Sequence, residues 1–587
     1  MAVITNEDLA LVLQQSAAPQ TAKLKIEVLD TNKRLAGTIY GIASGSVSIN
    51  GESDIRRTAS LVIQPTLAER LRLSEDSLLW LNKDIRISVG LYNIRTRDYR
   101  YYPLGYYVYT NASGTYDSAT NQLSISCADF IKKLDGTKNG QIGNEATTIT
   151  VATTDPETGE TNGYHNIRQA MIDVIEKIGH ITNHRIDEIG SYKAFAQYNE
   201  NWEGYRQENE DWNRIPYDLE FSCGCSLLSI LNTFRDLYNN YELFFEPEDN
   251  TLVCQRIPIG YEDDILLHHD FIQKILISEN TSLDLTAIRN ICEIRGQLLE
   301  PKYYAEACTY DNGIYHLSVK EFEKYQSSEK VAARITAENE ANPQLNINEL
   351  GPIPIYMDNS EKPIEPGTIK ADTDYVFLLK KKTVDKKECF YAYFLGQGDV
   401  HVMDVLTNGK KSSEKYIAPT GQEYELYSKE YFEYVYNCPN VNLTIVAGSP
   451  FTVQKLGEIL DVKTGGDYEK YISVDTAAEQ AAWENRRNSI LTDSITITTL
   501  LLPFLDVNKK ISYQPSDADE ERQYIIKSIS HDFASFTSTI TMYRFYPSHD
   551  SLLKEAGTHK VLSDHSHGVL GKYTYEELTT IISGEEL

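Results

Sequence analysis

Residues 44–65, SGSVSINGESDIRRTASLVIQP, decide the fold class of this chain. Val47 and Ile49 alternate with serines before Asn50-Gly51, and Ala59, Leu61 and Ile63 alternate with polar residues after it. A period of two puts the apolar side chains of each segment on one face, the pattern of a half-buried β-strand. Asn-Gly is a turn signal, although the polar stretch behind it is longer than a two-residue hairpin loop.

The same reading extends outward. KLKIEVLD at 23–30 alternates on Leu24, Ile26 and Val28, and DIRISVGLYNI at 84–94 on Ile85, Ile87, Val89 and Leu91. DYRYYPLGYYVYT at 98–110 is rich in aromatic strand formers. NQLSISCADFIKKLDG at 121–136 passes from strand into a short helix at Ala128 that Gly136 stops. Five or six short antiparallel strands within residues 21–127 predict a small barrel or sandwich. Before them, Leu9, Leu11, Val12 and Leu13 suggest a short helix.

A polar Gly/Pro/Thr-rich linker at 147–164 precedes an amphipathic helix at 166–179, with Ile167, Ala170, Met171, Val174 and Ile178 on one face. Residues 216–257 read as strand, helix, strand, turn and strand. That helix buries Leu227, Ile230, Leu231, Phe234 and Leu237, and Ser226 caps it. Strands return at 270–297. Residues 298–420 form a long irregular insertion, expected as an embedded domain with a helix around 319–325 and two strands. A helix at PFTVQKLGEI, 450–459, and an Ala-rich helix from Ala477 to Arg487 follow, and a second β-rich unit closes with YRFYP at 543–547. The expected class is mixed β and α+β, multidomain. The units are an N-terminal helix (1–20), a first β-barrel (21–136), an α/β domain (137–265, completed by 421–484), a second barrel (266–297 plus 485–550), the insertion (298–420) and a C-terminal tail (551–587).

With 587 residues the chain has room for several domains, and its net charge of −29 excludes two classes of partner. That sign is wrong for gripping nucleic acid through its phosphates and for a basic membrane-surface binder. No apolar run reaches the ~18 residues of a membrane span. The first twenty residues lack the basic start of a signal peptide, so synthesis in the cytoplasm is expected. The eight cysteines are scattered, and only Cys223 and Cys225 are close. A single C-x-C pair is weak evidence for zinc, and the simpler reading is free thiols.

The common catalytic signatures G-x-S-x-G, H-E-x-x-H, G-x-x-x-x-G-K-[ST] and G-x-G-x-x-G do not occur. His268-His269-Asp270 reads as a turn between strands before it reads as a catalytic group. No enzyme activity is expected. The sharpest local feature is the tail: His565 and His567 project together if the tail is extended, and three copies around a threefold axis supply six imidazoles, an octahedral set suited to iron or another transition metal. The alternative is a solvated His-Ser-His loop. Tyr573, Tyr575 and Leu578 in the same tail are candidates for docking a partner. Tyrosine is abundant, with 40 residues, and suits surfaces that are half wet and half buried.

Several phrases, in order, resemble phage tail hub proteins. SGSVSINGESDIRRTASLVIQP with DIRISVGLYNI and YYPLGYYVYT looks like their opening barrel. SLLSILNTFRDLYNNYELFFEPEDNTLVCQRI resembles the helix and hairpin that follow. AIRNICEIRG, SPFTVQKLGEI, LPFLDVNKKISYQP and ITMYRFYP resemble the later parts. The likeness spans about residues 20–550 and is weakest over 298–420. It implies a baseplate hub or tail-tip protein, similar to the central hub of contractile baseplates and to the hub part of type VI secretion spikes. By that resemblance the chain is a homotrimer whose two tube-like barrels adapt a sixfold tail tube to a threefold tip around the ejection channel. It also implies a location at the virion tail tip, with a tail tube or distal tail ring, a tape measure protein and spike or fibre proteins as partners. Two alternatives remain open at this level: a tail-associated cell-wall hydrolase, and a glycan-binding tail-tip protein. The second would use an aromatic platform built from Tyr303, Tyr304, Tyr310, Tyr315, Phe390, Tyr391, Tyr393 and Phe394, residues that equally suit a core.

Overall fold

The computed structural model describes residues 4–545 apart from 17–21, 40–41, 65–77, 79, 81, 111–114, 118, 138, 144–146, 155–160, 197–200, 259–263, 299–302, 328, 358–363, 385–386, 398–400, 420, 437, 439, 447–448, 472–473 and 490–491. The described residues form two compact units. The first comprises residues up to 288, 447–449 and those from 490 on; the second comprises 289–446 and 450–489. The fold is multidomain, mixed β and α+β.

In the first unit the alternating segments become strands because each has one face to bury. Ile85, Ile87, Val89 and Leu91 of the strand Asp84–Asn93 are all fully buried. Strands from both expected barrel regions lie along one hydrogen-bonded path. Ile42–Asn50 pairs antiparallel with Arg522–Asp532, placing Val47 opposite His531 and Ile49 opposite Ile529. From that junction the path runs one way through Arg57–Ile63, Gln122–Asp129, Asp98–Tyr109, Asp84–Asn93 and Ala22–Leu29 to Leu35–Ile39. The other way it runs through Thr537–Arg544 and Thr492–Leu500 to Leu276–Asp284. One apolar core serves both halves, with Val47, Leu61 and Val89 in the same cluster as Ile497, Ile526 and Met542.

The N-terminal helix Asn6–Gln14 adds Leu11 and Val12 to this core. Thr5 and Asp8 form its capping box, in which each side chain accepts from the other's backbone amide. Lower down the chain, Ser226 Oγ accepts from Ser229 N at 3.1 Å and caps the helix Leu227–Asp236. Close by, the strands His184–Ile186, Leu252–Arg256 and Tyr241–Phe245 form a small sheet. The amphipathic helix near 170 is α-helical over Ile167–Asp173 and continues as a wider π turn over Val174–Ile178.

The second unit holds a closed seven-stranded barrel between Tyr303 and Gln397. Tyr315, Val331, Ile335, Leu345, Ile347, Phe377, Leu379 and Ala392 fill its interior. The helix expected near 319–325 does not form. Val319 ends a strand, Glu321 takes φ 61°, and Phe322 is buried in the barrel core. Tyr325 is also held there: its hydroxyl donates to Gly351 O at 2.7 Å and accepts from Ile347 N at 3.1 Å. These tertiary contacts override a local preference for helix. Beside the barrel strands in sequence, Val441–Thr444, His401–Asn408, Ile291–Leu298 and Leu460–Lys463 form a four-stranded sheet. The Ala-rich helix spans Val474–Asn488, and Lys463 bridges Asp461 and Glu484 at 3.1 and 3.9 Å. The helix at 450–459 shrinks to Val453–Leu456, because Gly457 leaves the helix at φ 75°. No helix among the described residues is long and apolar enough to cross a membrane.

Candidate functional site

Two features of the first unit stand out: a buried ionic knot and the two ends of the sheet. Arg57 opens the strand Arg57–Ile63 that follows the Asn50-Gly51 turn, and Arg56 immediately precedes it. Both are buried, and both reach segments far away in sequence. Arg56 Nη1 donates to Glu242 Oε2 at 2.9 Å and Nη2 to Val507 O at 3.2 Å; its guanidinium lies 3.9 Å from the centre of the Phe244 ring. Its Nε is 3.3 Å from Asp506 Oδ1 without hydrogen-bond alignment. Arg57 Nη2 donates to Asp506 Oδ2 at 2.5 Å and Nη1 to Phe245 O at 3.0 Å. The Arg57 amide donates to Asp129 Oδ2 at 2.8 Å, and Asn508 Nδ2 donates to Glu242 Oε2 at 2.6 Å. The knot therefore joins the first β region, the hairpin strand Tyr241–Phe245 and the segment before the strand Lys510–Tyr513.

Buried charges are tolerated only when paired and hydrogen-bonded. Burial acts against the Asp506 carboxylate, but the two guanidinium groups outweigh it and hold its pKa below the ordinary range. Asp129 is also buried, has weaker compensation from Arg57, and is pushed up to about 6. Nearby in the sheet, burial pushes His531 down to about 4; its Nδ1 lies 2.9 Å from Ser538 Oγ, which accepts from Leu502 N.

The sheet path ends in two strands that pair on one side only among the described residues. At one end, Leu276–Asp284 exposes Ile277 and Leu283, with Leu285 just beyond. At the other, Leu35–Ile39 exposes Leu35. An open edge offers unpaired amides and carbonyls to another strand. The outer face near the second edge carries a ladder of rings and cations: Lys23 over Tyr99 at 5.8 Å, Lys25 over Tyr101 at 5.5 Å and Arg86 over Tyr106 at 5.4 Å. Gly90 permits this packing, since a Cβ there would meet the Tyr101 ring at 2.9 Å.

The other candidates disperse. His269 begins the helix His269–Ile275, accepts from Gln514 N at 3.1 Å and packs its ring against Tyr513, so it positions chain segments. Of the aromatic residues in the insertion, Tyr315, Tyr393 and Phe394 are buried, Tyr303, Tyr310 and Phe390 pack against the barrel core, and Tyr304 is exposed. Tyr391 and Tyr393 stand on the opposite strand face from Ala392 and Phe394, with Tyr356 5.9 Å from Tyr391. Among the described residues no three His, Cys, Asp or Glu side chains converge as a metal site. His565, His567, Tyr573, Tyr575 and Leu578 lie outside the described residues. The ionic knot was not singled out from sequence; its only signal is adjacent arginines inside an alternating strand.

The family described as a domain of unknown function (DUF5048) matches residues 448–549. No curated protein sequence matches the chain. Solved structures similar to the chain include two tail proteins. It is similar to the 43 kDa tail protein of prophage MuSo2 from Shewanella oneidensis, at 8% identity over 89% of this chain and 98% of that one, with a TM-score of 0.40. It is similar to the tail protein from Neisseria meningitidis MC58 at 7% identity, over 89% and 96% of the chains, with a TM-score of 0.39. It is also similar to a chain of the Francisella PdpA-VgrG complex, half-lidded, at 9% identity, over 93% and 65% of the chains, with a TM-score of 0.37.

Proposed function

We propose that the chain is a structural baseplate hub of a phage or phage-tail-like particle. Three copies form a ring that adapts a sixfold tail tube to a threefold tip and surrounds the ejection channel. One observation carries this reading: two β regions share a single sheet, joined by a buried ionic knot and ending in strands that pair on one side only among the described residues, one exposing Ile277 and Leu283 and the other Leu35. A sheet of that form can continue from one copy to the next, and a head-to-tail contact closes into a ring when its rotation does. The abundance of tyrosine and the ring-and-cation ladder suit the large, partly wet interfaces of such a ring. The partners under this reading are a tail tube or distal tail ring, a tape measure protein and spike or fibre proteins. The protein acts by assembly, with no catalytic step.

The test is the mass of the purified protein by light scattering, with metal analysis on the same sample. A mass of three chains supports the ring, and about one metal ion per three chains supports a site at His565 and His567. A protein that stays monomeric both alone and with tail-tube subunits overturns the hub.

A further inference from the structure

Cys223 and Cys225 are brought together by the backbone. Cys225 N donates to Ser222 O at 3.1 Å, and between them Gly224 takes φ +84°. That is a turn with Cys223 at its second position, Gly224 at the third, where positive φ is required, and Cys225 at the fourth. The turn is fixed at a second level: Gly224 N donates to Ile142 O at 2.8 Å, and Ile142 N donates to Cys225 O at 3.0 Å. A Cβ on Gly224 would meet nothing within 4 Å, so the space over the turn is open. Cys223 is exposed and Cys225 half-buried, whereas Cys127, Cys254, Cys292 and Cys438 are buried. Ser226, the next residue, caps the ten-residue helix Leu227–Asp236, which fixes the turn to a regular element. Only Gly224 separates the two cysteines, and a disulfide needs Cα atoms roughly 4.4–6.8 Å apart, a span within reach of residues two apart in a folded turn.

We propose that Cys223 and Cys225 form a reversible dithiol/disulfide couple that exchanges with low-molecular-weight disulfides. This reading does not depend on the assembly role. The exposed Cys223 thiolate attacks one sulfur of glutathione disulfide. The glutathione S–S bond breaks, a Cys223–glutathione bond forms, and one glutathione thiolate leaves and takes up the proton that Cys223 lost. The Cys225 thiolate then attacks the Cys223 sulfur, and the second glutathione leaves in the same way. Two protein thiols are oxidised and one glutathione disulfide is reduced to two thiols. The bond closes a small ring at an exposed position, so reduced glutathione can reopen it. In the oxidised form the turn that holds Gly140 and Ile142 against the start of the helix is locked.

The test treats the native full-length protein with glutathione buffers and reads intact mass and peptide maps. The expected product lacks two hydrogen atoms in the peptide containing residues 223–225, carries no adduct there, and reverts in reduced glutathione. Cys389, exposed and without a neighbouring thiol in sequence, is the internal control and stops at a single glutathione adduct. Cys225→Ser is expected to trap that adduct on Cys223. Three results overturn the proposal: a native chain that keeps both thiols reduced, one that accumulates adducts on Cys223 or Cys225, or one that forms the bond only after denaturation.

Discussion

Arg56, Arg57 and Asp506 show how three side chains can hold distant parts of a chain. Replacing Asp506 by Ala leaves the buried Arg57 guanidinium with the Phe245 carbonyl and no carboxylate partner among the described residues, and leaves Arg56 with Glu242 and the Val507 carbonyl. The expected loss is about 3–5 kcal/mol in denaturant unfolding, the usual result of stranding a buried charge. The pH dependence follows from three groups. Asp506 is depressed, so its stabilisation is present above the ordinary carboxylate range and is lost as pH falls through its folded value. Asp129 is raised, so the folded state holds a proton that the unfolded state releases between pH 3.8 and about 6, and stability falls as pH rises through that window. His531 is depressed from 6.5 to about 4, so its unfolded form takes up a proton first and stability drops as pH falls between those values. His531→Gln cannot titrate. The stability difference between the native chain and this variant should shift against the native chain by about 3 kcal/mol between pH 6.5 and 4, measured by urea unfolding at a series of pH values.

At the scale of elements, strands were legible wherever one face is buried. Ile85 to Leu91 alternate in sequence and are fully buried in the structure. The helix Leu227–Asp236 was legible from its period and from Ser226. The failures have a common cause. Residues 319–325 are locally compatible with a helix, but Phe322 and Tyr325 are claimed by a barrel core assembled from strands on both sides. Pairing of Ile42–Asn50 with Arg522–Asp532 had no local signature, because periodicity shows that a strand has a buried face and says nothing about its neighbour. Arg56 and Arg57 carry little sequence signal for the same reason: their partners lie 186 and 449 residues away. The edge strand Leu276–Asp284 carries a test of its own. Ile277→Lys with Leu283→Lys places two charges on an exposed edge and removes no core contact. The expected outcome is an unchanged unfolding midpoint and a light-scattering mass reduced to one chain. A variant that still assembles would move the interface away from this edge.

At the scale of the whole molecule, the net charge of −29 works against bringing copies together. Screening shortens the repulsion to about 8 Å at physiological ionic strength. Assembly should therefore strengthen as salt rises from 0.01 M to roughly 0.15 M, where the screening length falls from about 30 Å. Sedimentation at fixed protein concentration measures this directly, and assembly that weakens with salt would point to contacts between opposite charges, such as the lysine and arginine ladder against an acidic face. The two compact units also predict two transitions in calorimetry of the full chain, with Asp506→Ala lowering only one of them.

The junction between the two β regions also sets an order of events during synthesis. Arg57 leaves the ribosome 449 residues before Asp506. At roughly 5–20 residues per second that interval is about 20–90 s. Throughout it the strand Ile42–Asn50 has its hairpin partner Arg57–Ile63 but lacks Arg522–Asp532, and both arginines lack Asp506. Unit two, which lies wholly between these partners in sequence, can finish first. The first unit must wait with an open strand edge and unpaired guanidinium groups, so the nascent chain is most open to mispairing, and to rescue by a chaperone, at the strand whose alternation decides the fold.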